Sequence, residues 1–161
     1  MFATTGVRFG AYAEYVCLPG KYAMAIMPAN MTYGEAAAVP TGALNALHFI
    51  RRGKIRSGEK VLINGAAGNI GCYAVQLAKS NGAEVTAVDS VGKLDMLRSI
   101  GADHVIDYMQ VDFTKNGETY DVILDAVGES PFSRSLKSLN KNGRYVLANP
   151  RLLQMVRGLW A

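Results

Sequence analysis

The stretch Val61-Leu62-Ile63-Asn64-Gly65-Ala66-Ala67-Gly68-Asn69-Ile70-Gly71 holds the residues whose types and spacing most directly imply chemistry. An apolar strand stops at small residues and a helix begins at once, which is the geometry of a dinucleotide-phosphate site. Ala66 and Gly68 keep side chains clear, so the backbone can turn sharply and approach a pyrophosphate, and Gly71 lets the new helix lie close to the strand. The first helical amides, from Asn69 and Ile70 onward, then face the ligand, where unpaired N–H groups and the positive end of the helix dipole favour an anion. The pattern is A-x-G-x-x-G, one methyl group from the usual G-x-G-x-x-G.

A glycine turn alone is weak evidence, because any strand can meet a helix through one. The residues that follow strengthen it. Ile70, Ala74, Val75, Leu77 and Ala78 recur at helical spacing, and Asn81-Gly82 is a helix-stop signal. A second strand, Glu84 to Val88, then leads to Asp89, about 20 residues beyond the turn, where a second-strand acid meets an adenosine ribose.

The elements that must position these residues alternate steadily from Glu59 onward. Strands are expected at Val61 to Ile63, Glu84 to Val88, His104 to Ile106, Asp121 to Asp125 and Gly143 to Leu147. Helices are expected near Asn69 to Ser80, Gly92 to Ile100 and Pro131 to Leu139, with a looser connector from Asp107 to Tyr120. This order predicts an α/β fold, a doubly wound parallel sheet with right-handed crossovers and helices on both faces. Ligands of such sheets bind beyond the carboxyl ends of the strands, where Gly65 to Gly71, Asp89, Asp107-Tyr108, Ala126 to Gly128 and Ala148-Asn149 fall. Upstream, Gly10 to Leu18 alternates like a strand and ends at Pro19-Gly20. Thr32-Tyr33-Gly34-Glu35 is a capping box for a short helix stopped by Pro40. Thr41 to Arg52 reads as a separate amphipathic helix, packed through Leu44, Leu47, His48 and Ile50. No fixed-period repeat and no low-complexity run is present.

With 161 residues, half of them hydrophobic, the chain can bury one core. Its apolar stretches are all broken well short of the roughly 20 residues that span a bilayer, and Arg8 and Glu14 interrupt any would-be signal peptide. Two cysteines, Cys17 and Cys72, are too few for a disulfide framework and too far apart for a C-x-x-C pair. A reducing, cytoplasmic setting follows. Cys72 is read as a packing residue, although a place near a helix N-terminus would lower a thiol pKa. The net charge is +4 and lopsided: after Glu129 no acid follows, while Arg134, Lys137, Lys141, Arg144, Arg151 and Arg157 do. Without aromatic interleaving or a nucleic-acid motif, that run reads as a solvated surface.

These residues resemble the medium-chain dehydrogenase/reductases, and within them the zinc-independent quinone oxidoreductase-like branch. The likeness is carried by Gly10-Ala11-Tyr12-Ala13-Glu14-Tyr15, by Ala36-Ala37-Ala38-Val39-Pro40, and by Gly58-Glu59-Lys60-Val61-Leu62-Ile63 with its glycine turn. Gly101-Ala102-Asp103-His104-Val105-Ile106-Asp107-Tyr108 and Asp121-Val122-Ile123-Leu124-Asp125-Ala126-Val127-Gly128 are similarly placed. The resemblance implies a Rossmann fold at 31–161, lacking a sixth strand, behind a remnant of a GroES-like catalytic domain at 1–30. Relatives carry a further segment before Gly10 and another beyond Trp160, the latter with the strand that pairs in a homodimer, so the chain resembles a fragment or a truncated relative.

By the same resemblance, the activity is NAD(P)(H)-dependent hydride transfer to or from a small quinone, enone, carbonyl or alcohol. Ala66, Gly68, Asn69, Ile70 and Gly71 would hold the pyrophosphate, and Asp89, Ser90, Lys93 and Tyr108 would surround the adenosine ribose. Val127, Gly128, Ala148 and Asn149 would line the approach to the nicotinamide. Asn45 stands where relatives carry a threonine that touches the cofactor. Asp89 favours a free 2′-hydroxyl and hence NAD(H), while Lys93 and Tyr108 stand where relatives grip a 2′-phosphate.

Other chemistries fit less well. Two histidines and two cysteines, without H-E-x-x-H or clustered thiols, argue against a metal centre, and His48 and His104 read as packed or solvent-tipped. A Y-x-x-x-K pair, a G-x-x-x-x-G-K-[ST] loop and a G-x-S-x-G elbow are all missing. A methyltransferase would carry denser glycines in its first loop. A non-catalytic nucleotide-binding module remains the alternative to an oxidoreductase, and no nucleic acid or membrane partner is expected.

Overall fold

The computed structural model describes residues 1–5, 10–128 and 130–149. In chain order these form β1 (Phe2–Ala3), β2 (Met24–Ala25), α1 (Tyr33–Gly53), β3 (Lys60–Asn64), α2 (Asn69–Ser80) and β4 (Glu84–Asp89). A 3₁₀ turn (Val91–Lys93), α3 (Leu94–Ser99), β5 (His104–Asp107), β6 (Tyr120–Asp125), α4 (Phe132–Lys137) and β7 (Leu139–Leu147) follow.

Five strands make one parallel sheet in the order β5-β4-β3-β6-β7. The order reverses between β3 and β6, so a crevice opens there beyond the carboxyl ends. Strand residues alternate between two cores. Val61, Ile63, Val85, Ala87, Val122 and Leu124 pack beneath α1, α2 and α3, where Ala46, Ile50, Ala74, Val75 and Leu97 meet them. Leu62, Val88 and Ile123 face the other way, onto Phe113 of the connector and Tyr120. The sheet is therefore covered on both faces, as a doubly wound Rossmann sheet must be, with a loop and the short α4 doing on one side what α1 to α3 do on the other.

Thr32 and Glu35 close the expected capping box, each side chain satisfying the other's backbone N–H. The helix they start does not stop at Pro40, however, and one helix runs through to Gly53. Proline inside a helix forfeits one backbone bond, but Pro40 is buried, on the side of α1 that meets β1 and β2, and the helix continues through it. The packed face also differs from the expected one: Ala36, Pro40, Gly42, Ala46 and Ile50 are buried, while Leu44 and His48 are exposed. Small residues win because α1 lies close against α2. A Cβ at Gly42 would overlap Asn69 Oδ1 and come within 2.7 Å of the Tyr73 ring.

The strand expected at Gly10 to Leu18 does not form. Tyr12 and Tyr15 are fully or largely exposed, and no strand among the described residues pairs with this segment. Alternation makes a strand only where a sheet edge satisfies its backbone. β7 begins earlier than Gly143, at Leu139, and is interrupted by a register shift opposite Tyr120 and Val122 where Asn142 takes a positive φ of 65°. The helix expected from Gly92 to Ile100 is a 3₁₀ turn followed by α3. No helix among the described residues is long and apolar enough to cross a membrane. Arg8, Arg151, Arg157 and the segment beyond Trp160 lie outside the described residues.

At the amino end of the sheet, Asp121 joins three strands. Its carboxylate accepts from Asn140 Nδ2 at 2.8 Å and from Lys60 N at 2.9 Å. Those two donors, aided by the Arg144 and Lys60 charges, hold its pKa below the ordinary carboxylate value. A folded-state pKa lower than the unfolded one gives stability that is present above about pH 4 and lost as the pH falls below it. Urea unfolding across pH 7 to 2 is therefore expected to show Asp121→Asn less stable than wild type at neutral pH, with the gap closing below about pH 4.

Candidate functional site

β3 ends at Asn64, and the chain turns through Gly65, at φ 76°, into α2. Gly65 N and Ala66 N both donate to Val88 O, at 3.0 and 3.1 Å, which ties the turn to the end of β4. Gly68 N donates to Gly65 O at 3.1 Å, and Gly68 then caps α2 without any side-chain bond. The first helical bond runs from Cys72 N to Gly68 O. The amides of Asn69, Ile70 and Gly71 therefore have no acceptor inside the helix, and they are what an anion would meet. Gly71 is held against the turn's own backbone: a Cβ there would overlap Gly65 O and lie 2.6 Å from Ala66 Cα.

Asp89 ends β4 beside this turn. Its Oδ2 accepts from Ala67 N at 2.8 Å, and its Oδ1 accepts from Ser90 N at 2.9 Å and from the Ser90 hydroxyl at 3.4 Å. The acid expected at the ribose is thus also the clamp that holds the glycine turn closed. Ala66 is completely buried, so its methyl group belongs to the core and its N–H to Val88.

A cavity of about 470 Å³ opens beyond the strand ends, walled by Gly65, Asp89, Tyr108, Phe113, Val127 and Ser130, with Asp112 on its lining as well. Asp89, Tyr108 and Val127, far apart in sequence, are thereby brought to one space. Lys93 is exposed on the 3₁₀ turn and stands outside that lining. Asp112 has its pKa lowered, first by the Thr114 hydroxyl and then by the Thr114 amide and the Arg134 and Lys115 charges. On the far side of the crevice, Ala148 N donates to Asp125 O at 2.9 Å and Asn149 Nδ2 to Ala126 O at 2.6 Å. Gly128, at φ 74°, passes so close to Asn149 O that a Cβ there would overlap it. Asn45 turns back along its own helix, its Nδ2 donating to Thr41 O at 2.7 Å.

Burial raises the Cys72 pKa, with the Asp89 charge adding to it, in keeping with its reading as a packing residue and against the lowering that a helix N-terminus would bring. Sequence reasoning missed the polar network of Asn64, Asp125, Ser130 and Tyr145, centred on a carboxylate that is 0 % exposed. The available signal was Asp125 itself, an acid closing an apolar strand as Asp89 does. Of the two histidines, His104 has its Nε2 3.0 Å from Glu84 Oε1, and His48 sets its ring edge to face with Phe49. Among the described residues no three or more His, Cys, Asp or Glu side chains gather as a metal site.

The residues from 69 to 149, which run from the start of α2 past the end of β7, match the family described as zinc-binding dehydrogenase. The chain belongs to this family, one of the medium-chain dehydrogenase/reductases. Among curated relatives, it is 34% identical to a 2-methylene-furan-3-one reductase of Solanum lycopersicum, across 87% of this chain and 36% of that protein. It is 32% identical to a chloroplastic NADPH-dependent alkenal/one oxidoreductase of Arabidopsis thaliana, across 86% of this chain and 36% of that protein. Among solved structures, the quinone oxidoreductase of Thermus thermophilus, described together with its NADPH complex, superposes with a TM-score of 0.68. That match has 34% identity over 81% of this chain and 45% of the other. The chain thus spans about a third of the length of these curated relatives. Its matched region is the family's nicotinamide-cofactor domain.

Two glycines separate binding from folding. Gly68 has an ordinary φ of −72° and is exposed, so Gly68→Val is expected to cost about 1 kcal/mol of stability while sharply weakening dinucleotide binding. Gly71→Ala meets backbone and is expected to cost about 3 kcal/mol. Thermal melts beside nucleotide titrations of both variants check this; unchanged nucleotide affinity in folded Gly68→Val would remove the turn from the site.

Proposed function

We propose that this chain is the cofactor-binding part of an NAD(P)(H)-dependent reductase whose substrate is a quinone, an enone or a related carbonyl or alcohol. The observation that carries the reading is the row of unpaired α2 amides at Asn69, Ile70 and Gly71. They follow Gly65, which lines a cavity together with Asp89 at the end of β4 and Val127 just after β6. An extended dinucleotide fits that layout: pyrophosphate at the helix start, adenosine towards Asp89, Ser90 and Tyr108, nicotinamide towards Val127, Gly128, Ala148 and Asn149. When bound, the nicotinamide supplies or accepts the hydride. This chain's residues bind it, orient it and hold one wall of the crevice. The reductase names of the similar proteins support the substrate class.

Asp89 supports NAD(H) as the preferred cofactor. Asp89 lines the cavity and its carboxylate would oppose a 2′-phosphate, whereas Asp112 on the same lining is already paired with Arg134 and Lys115. The NADPH in the names of two similar proteins points the other way, so the preference is a property of this chain to be measured. We further propose a catalytic-domain remnant at 1–30 ahead of a dinucleotide domain at 31–161, and zinc-independent chemistry, since the whole sequence has two histidines and two cysteines. A homodimer is proposed because the outer edge of β7 has no partner strand among the described residues. A cytoplasmic location without nucleic-acid or membrane partners completes the reading; Arg134 and Arg144, from the basic run, are already paired with Asp112 and Glu59.

Titration with NADH and NADPH by fluorescence, followed by a quinone or enone while cofactor absorbance is monitored, tests the proposal. Binding with turnover is expected of a self-sufficient reductase, and binding without turnover of a cofactor module; no binding refutes both. Asp89→Asn removes the charge but keeps an acceptor for Ala67 N, so it is expected to shift the NADPH-to-NADH affinity ratio about fivefold towards NADPH. An unchanged ratio would take Asp89 out of the ribose site.

A further inference from the structure

The proposed cofactor site does not use Asp125, yet this is the most completely engaged side chain at the carboxyl end of the sheet. It is 0 % exposed. Its Oδ1 accepts from Asn64 Nδ2 at 3.0 Å, Val127 N at 3.0 Å and Gly128 N at 2.9 Å, and its Oδ2 accepts from the Tyr145 hydroxyl at 2.7 Å. Asn64 also donates to Ser130 Oγ at 2.9 Å, and the Asp125 carbonyl accepts from Ala148 N. One residue therefore fastens β3, β7 and the turn after β6 to one another. Burial, and then the Asp125 carboxylate, raise the Tyr145 pKa above the ordinary tyrosine value.

What this network holds in place faces the crevice. Val127 is 45% exposed on the cavity lining, and its Cγ2 fills the space where Gly65 would otherwise carry a Cβ, 2.5 Å from that position. Two amides in succession, from Val127 and Gly128, close onto one carboxylate oxygen, which fixes both the height and the tilt of the turn. Asp89 performs the matching service on the other side of β3, where Ala67 N is its partner.

We propose that Asp125 is a positioning residue for the nicotinamide half of the dinucleotide. It acts through the Val127-Gly128 turn and without touching the cofactor. This rests on the cofactor reading above and adds a division of labour to it: Asp89 steadies the wall at the adenosine end, Asp125 the wall at the nicotinamide end. A group that merely supports the fold would affect both halves of the ligand alike. A group that places one wall affects one half.

Calorimetric titration of the full chain with NADH, NADPH and ADP-ribose, which lacks the nicotinamide, separates these cases. Asp125→Ala is expected to raise the Kd of the preferred reduced dinucleotide about tenfold while leaving that of ADP-ribose within roughly twofold. Asp125→Asn, which keeps an acceptor for the two amides, is expected to recover most of the loss. Equal weakening of both ligands, or no weakening of the dinucleotide, overturns the proposal. Should Asp125→Ala fail to fold, Tyr145→Phe removes one donor and leaves the turn's own bonds. A loss of about threefold confined to the dinucleotide then supports the proposal, and unchanged dinucleotide binding overturns it. If wild type binds ADP-ribose but gains nothing from the nicotinamide, this proposal fails while the site stands; if it binds none of the three, the cofactor reading itself fails.

Discussion

The close approach of α2 to the end of β3 is the constraint on which the rest of the site depends. Gly71 lies against Gly65 O and Ala66 Cα with no room for a side chain. That contact sets the start of the helix directly over the strand end, and so decides where the unpaired amides of Asn69, Ile70 and Gly71 stand. Everything else in the crevice is measured from that point. A helix displaced outward by one methyl group would carry its positive end away from the cavity.

Two carboxylates then fix the flanks. Asp89 and Asp125 each end a strand hydrogen-bonded to β3, Asp125 level with Asn64 and Asp89 one residue further on, and each accepts backbone amides of a turn that borders the cavity. Amides in a tight turn have no strand partner, and burying them unbonded would be costly. An acid at the strand end solves that locally and leaves the turn with a defined shape. The two differ in exposure: Asp89 is partly accessible to a ligand, whereas Asp125 is sealed by Tyr145 and Asn64. The first can serve both turn and ligand, and the second serves the turn.

Much of this was legible in the sequence where local rules suffice. α2 runs from Asn69 to Ser80 as its periodicity predicts, and the five strands of the sheet sit where their apolar runs place them, apart from the early start of β7. Local signals failed where packing outweighed them. Pro40 is a helix breaker by itself, but its buried ring lies within a helix packed along its length. Gly10 to Leu18 alternates like a strand, but alternation cannot provide the neighbouring backbone that a strand requires. Leu44 is apolar and exposed, while Gly42 is buried because α1 and α2 lie too close for anything larger.

By itself the sequence determined the order of elements, the parallel doubly wound sheet and the glycine turn with its acid on the second strand, because each rests on periodicity or on backbone freedom at single positions. The tertiary structure alone decided the rest of the crevice. It brought Asp112 and Phe113 of the connector to the cavity where Asp89, Tyr108 and Val127 were expected, left Lys93 outside it, and joined Tyr145 and Asn64 on Asp125. Such meetings depend on how strands order and register side by side. No spacing along the chain encodes the distance between two strand ends until the sheet has formed.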